Sequence, residues 1–176
     1  MRAALATTVL AMAIAMGTTV PAMAARPPSR HQIASAVRSA ERSRSLWATV
    51  NICNSRRYPY RIGVRGQMPS LGFPSVMAMT VTLNSWSATD KRFVAIKSPN
   101  AVDRIVLGSH RTGLEQDGTI FPFDKQATGR WNATIEFTWT VHGRIVGRAK
   151  RRTTAGHRDA DFANPPHYSA AQCRIG

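Results

Sequence analysis

The stretch FTWTVHGRIVGRAKRRTTAGH, Phe137 to His157, alternates apolar and polar residues up to a glycine and leaves it as a run of arginine and lysine. With the two residues before it, the apolar set is Ile135, Phe137 and Trp139, and the polar set is Glu136, Thr138 and Thr140. A period of two is that of a β-strand with one face buried. The return strand must place small or apolar residues opposite that face, because a one-residue slip would bury charge. A three-residue loop, Val141-His142-Gly143 with Gly143 left-handed, meets this condition. It sets Trp139 against Ile145, Phe137 against Gly147 and Ile135 against Ala149, all of which should be buried except the turn. A two-residue turn at His142-Gly143 would set Phe137 against Arg148 and is rejected on that ground. Arg144, Arg148, Lys150 and Arg152 then form a ladder on the solvent face. Arg151 points the other way, where it can snorkel to water.

Such a ladder has two readings. Like charges in a row can track a polyanion, and they also blunt an exposed sheet edge. Charge runs are usually solvated faces, so the edge-protecting reading is preferred at this point. No aromatic residue is interleaved in the ladder, which disfavours specific nucleic-acid recognition.

The alternation continues outward. YRIGVRGQM places Tyr60, Ile62, Val64 and Met68 on one face and Arg61, Arg65 and Gln67 on the other, a half-buried strand. VMAMTVTLNSW separates Met77, Met79, Val81 and Leu83 from Ala78, Thr80, Thr82 and Asn84. LWATVNIC is apolar on Leu46, Ala48, Val50 and Ile52. RFVAIK, DRIVLG and GTIFPF read as shorter strands, with proline- and glycine-rich turns between the runs. Many short strands and no long helical period after residue 45 predict an all-β fold, an antiparallel β-sandwich over residues 46–176.

The chain opens MRAALATTVLAMAIAMGTTVPAMAA: a basic residue, an uncharged apolar run too short for a bilayer span, and the small-residue site Ala22-Met23-Ala24. Residues 1–24 are read as a secretory signal peptide, and the protein as secreted or extracytoplasmic, with no membrane span after cleavage. Residues 25–45 are a basic linker or a short helix: Ile33, Val37 and Ala40 recur at helical spacing behind a candidate cap, Ser29. The 176-residue chain carries a formal net charge of +15. Only Lys91, Lys97, Lys125 and Lys150 are lysines; the other basic residues are arginines. The charge favours anionic partners, and arginine-rich composition bias is its competing cause. Cys53 and Cys173, an even count in an oxidising compartment, are expected to pair.

The strand rhythm and the order Cys53…Trp86…Cys173 resemble small secreted immunoglobulin-like or fibronectin-III-like sandwich domains over residues 46–175. That resemblance implies a sandwich of immunoglobulin-like type and carries no site residues with it.

Little else points to chemistry. His157, Asp159, Asp161 and His167 in AGHRDADFANPPHYSA are weak metal-ligand candidates, without the calcium-loop or H-E-x-x-H pattern. A polar loop before the last strand explains them as well, and no metal or cofactor is expected. G-x-S-x-G, P-loop and dinucleotide glycine motifs are absent from the sequence. Asp117 and Asp124 are the one inexpensive carboxylate pair for glycoside hydrolysis. The function expected is a secreted, non-enzymatic β-sandwich that interacts nonspecifically with anionic cell-surface or wall polymers. The alternative is a small secreted hydrolase with dispersed catalytic residues.

Overall fold

Ser29 ends the extended entry to the only α-helix among the described residues. Its hydroxyl accepts from the Gln32 backbone N–H, and the Gln32 side chain accepts from the Ser29 backbone N–H, a reciprocal capping box. The computed structural model describes residues 27–176, so the signal peptide read at residues 1–24 lies outside them. Of the two alternatives for residues 25–45, the helix is the one formed: α1 spans Arg30–Arg42 and buries Val37 and Ala40.

Nine strands follow: β1 (Trp47–Ser55), β2 (Tyr58–Pro69), β3 (Ser75–Ser87), β4 (Arg92–Ala95), β5 (Val102–His110), β6 (Leu114–Pro122), β7 (Gly129–Val141), β8 (Arg144–Arg152) and β9 (Cys173–Ile175). One sheet runs β1-β2-β6. In the other, β3 and β7 are central, with β4 and β5 beside β3 and with β8 and β9 beside β7. Every strand pairing is antiparallel. The fold is therefore all-β, and its two sheets are consistent with a β-sandwich. The alternating residues of both sheets share one core: Val50, Ile62, Val64 and Met68 from the first; Met77, Met79, Val81, Ile135, Phe137 and Trp139 from the second. Helix α1 packs onto β8, where Gly147 has no Cβ and leaves room for Val37. Cys53 and Cys173 form a disulfide with Cα atoms 5.3 Å apart, tying β1 of one sheet to β9 of the other.

The hairpin is a strand–turn–strand unit with the predicted faces from Gly147 onward but not the predicted register. The turn is the rejected two-residue one. His142 and Gly143 both have positive φ, 48° and 75°, and Val141 pairs with Arg144, as in a type I′ turn. Charge is kept out of the core by a β-bulge: Thr140 pairs with Ile145, Trp139 with Gly147, and Val146 is the extra residue. Beyond it Phe137 faces Ala149 and Thr138 faces Arg148. Trp139 and Phe137 are fully buried as expected, but Ile145 is 48 % exposed, because the bulge moves it to the solvent side.

Two further expectations are corrected. Arg151 does not reach for water: its guanidinium donates to the carbonyls of Glu41, at the end of α1, and Leu46. The second face of β1 is not solvated, because residues 153–172 fold back over it; the same segment sets Phe162 against Arg65 of β2, whereas Arg61 of β2 stays exposed. Trp47 stacks on His157 at 4.5 Å, the Asn51 amide donates to the Asp161 carbonyl, and Thr49 hydrogen-bonds Ser169.

Candidate functional site

Neighbouring residues in an antiparallel pair project to the same face of the sheet. The even-numbered residues of β7 therefore define the outward face of the second sheet, opposite to Phe137 and Trp139. Arg148 lies beside Thr138, Lys150 beside Glu136 and Arg152 beside Thr134. The same strand then pairs with β9, where Arg174 lies beside Arg130. Four cations thus follow one edge of one face, Arg148–Lys150–Arg152–Arg174, over about 27 Å of strand at ~3.4 Å per residue. All four are exposed. Arg144 is not among them. The bulge sets it opposite buried Val141, where it lines a groove with Ile33, Ala34 and Val146 beside α1.

Glu136 is the one carboxylate in the ladder. It accepts from Arg148 at 2.6 Å and Lys150 at 3.1 Å. The Lys150 hydrogen bond, the largest cause, holds its carboxyl below the usual glutamate range; burial opposes it, and the Arg148 hydrogen bond and the charges of both cations add to the lowering. Arg152, Arg174 and Arg130 have no acidic partner among the described residues. The depressed pKa means that Glu136 stays ionised below the pH at which an ordinary glutamate takes up its proton. The small stability this gives is fully present above the ordinary carboxylate range and is lost as pH falls through the folded value. Glu136→Gln should strengthen polyanion binding by about twofold at low salt, the scale of one exposed charge contact. Titration of both proteins against the same polyanion checks this, and unchanged or weaker binding by Glu136→Gln would contradict it.

At the far end of the face lies a cluster that the sequence reading missed. Trp86 of β3 is half-buried and meets Phe93 of β4 edge-on, with ring centroids 5.2 Å apart and planes at 70°. The Arg130 guanidinium lies over the Trp86 ring, 4.2 Å from its centroid. Trp86, Arg130, Arg174 and Gly129 line a groove of about 520 Å³. The signal is present as WSATDKRF and GRW, but nothing local to either segment brings them together. The sequence order puts Trp86 between the two cysteines; the tryptophan in register with Cys173 is instead Trp131.

The four metal-ligand candidates take other roles in the covering segment. His157 stacks on Trp47 and bonds Thr154, and burial pushes its pKa down despite the nearby Asp159. His167 bonds the Arg158 carbonyl. Asp161 contributes its backbone to Asn51 and Gln116. No group of three or more potential ligands converges among the described residues. Asp117 bonds Arg65 at 3.4 Å and accepts from the Gly118 N–H, whereas Asp124 is exposed beyond the end of β6.

No protein-family model matches the chain, and no curated protein matches it. Among solved structures it is similar to a glycosyl hydrolase family 2 member from Bacteroides cellulosilyticus DSM 14838, at 6 % identity and a TM-score of 0.35, over 64 % of this chain and 15 % of that one. It is also similar to the alkylpurine DNA glycosylase AlkC of Pseudomonas fluorescens, at 14 % identity and a TM-score of 0.30, over 62 % and 29 %. The chain thus spans less than a third of either protein, and likenesses this distant bear on neither fold nor function.

Proposed function

We propose that this is an exported, non-enzymatic β-sandwich protein whose outward sheet face binds anionic polymers of a cell surface or wall. The observation that carries the reading is the row Arg148–Lys150–Arg152–Arg174, aligned on one face by strand register with a single carboxylate among it. Export is supported by the leader read at residues 1–24 and by the Cys53–Cys173 disulfide, which suits an oxidising compartment. No helix among the described residues is long and apolar enough to cross a membrane. The immunoglobulin-like or fibronectin-III-like type is likewise our reading, supported by two antiparallel sheets tied by an inter-sheet disulfide.

Binding through such a row works by charge, so affinity should fall steeply with added salt as counterions are released. Each neutralised anionic group contributes about 0.7–0.9 to the slope of log affinity against log salt. Changing Arg148, Lys150 and Arg152 together to glutamine should therefore flatten that slope by roughly two units. All three side chains are exposed, so thermal unfolding should change little. Arg56 and Arg57, in the β1–β2 turn, control for general positive charge. Dextran sulfate binding measured from low to physiological salt decides the matter. Equal weakening in the triple and control variants would show that binding follows net charge and that the row is no site.

A further inference from the structure

Edge protection accounts for cations on β8 and β9, since each pairs on one side only. It does not account for Arg130. At this position β7 is an interior strand, with β9 on one side and β3 on the other. Arg130 has no carboxylate partner among the described residues and lies over the Trp86 ring, in the groove it shares with Arg174. A guanidinium held against an indole keeps its outer N–H edge for a bidentate bond to two oxygens of one anionic group, and its immobilisation lowers the ordering cost of binding.

We propose that Trp86, Arg130 and Arg174 form a subsite for one acidic sugar unit of an anionic polysaccharide, whose neighbouring units run along Arg152, Lys150 and Arg148. The proposal rests on the polyanion-binding reading and names the class of polymer. A sugar ring bearing a carboxylate or sulfate presents a face of C–H groups beside its charge. The Trp86–Phe93 pair supplies apolar surface for the former and the two arginines supply donors for the latter. A single-stranded nucleic acid fits less well. Successive bases need open aromatic faces, whereas one face of Trp86 is covered by Arg130 and Phe93 meets it edge-on.

Trp86 also provides the readout, because Trp47, Trp131 and Trp139 are buried while Trp86 is half-exposed. The protein is titrated at fixed low salt with polygalacturonate, dextran sulfate, neutral dextran and poly(dT), following tryptophan emission and an independent binding signal. Wild type should bind one or both acidic glycans with a change in emission, and which of the two it binds identifies carboxylate or sulfate as the group held. Trp86→Ala and Arg130→Gln should each weaken that binding about tenfold, the scale of one charge-assisted contact. Trp86→Ala should leave the salt slope unchanged. Arg130→Lys keeps the charge but not the planar fork, and should lose most of the same affinity. If the Trp86 and Arg130 variants bind the glycans as wild type does while the triple ladder variant does not, the subsite is overturned and the ladder reading stands. If Arg130→Lys binds fully, charge alone suffices and the subsite is again overturned. Equal dependence of poly(dT) binding on Trp86 would overturn it in favour of a nucleic-acid face. If wild type binds none of the polyanions, the ladder reading itself falls and takes the subsite with it.

Discussion

Replacing Cys53 and Cys173 together by serine is expected to destabilise the protein by about 5 kcal/mol, on the chain-entropy model for a loop of this length. The two residues are separated by 120 positions, so the bond closes most of the described chain into one ring. Domains of this size are stable by roughly 5–15 kcal/mol, so the change takes a large share of the total. The disulfide also anchors a weak element. β9 has only three residues, paired with Gly129–Trp131, and it terminates the long segment that covers the first sheet. Urea unfolding of the disulfide form and of the double serine variant should differ in midpoint. Hydrogen exchange should show residues 153–175 opening first in the variant. A destabilisation below about 1 kcal/mol would mean that the unfolded chain gains little freedom from the cut, against the loop-entropy account.

Trp139→Ala is expected to cost about 3–5 kcal/mol, as large-to-small truncations in packed cores do. Trp139 has no exposed surface and sits between the sheets, with Gly147 opposite it on β8. Its indole N–H donates to the Pro69 carbonyl at 2.8 Å, so truncation also leaves an acceptor at the end of β2 without its donor. The space that a Gly147 side chain would fill is already occupied by Val37 of α1, so the helix has little room to move in and fill the cavity. Ile145→Ala, by contrast, removes a side chain that the bulge places in water and should change stability by less than about 0.5 kcal/mol. Equilibrium denaturation of the two variants distinguishes the observed register from a three-residue loop, which would have made both substitutions costly.

The alternation of apolar residues was sufficient to locate the long strands, to assign Ile135, Phe137 and Trp139 to the core, and to turn Arg148, Lys150 and Arg152 outward. The even cysteine count pointed to the Cys53–Cys173 bond, and Ser29 with Ile33, Val37 and Ala40 carried the helix signal. Period two, however, constrains parity alone. A three-residue loop and a two-residue turn followed by a one-residue bulge leave the same faces from Gly147 onward, and only the pairing with β7 separates them. Arg144 and Ile145 lie between turn and bulge, which is why the two registers place them differently. Solvation of β1 was equally illegible. Its polar face looks exposed in isolation and is covered by a segment about a hundred residues further on. The Trp86–Arg130–Arg174 cluster needs three strands that are not consecutive in sequence to lie side by side. Side-chain period reports which face of a strand is buried, whereas the identity of a strand's neighbours is set by the closure of the whole core, and that only the tertiary structure decided.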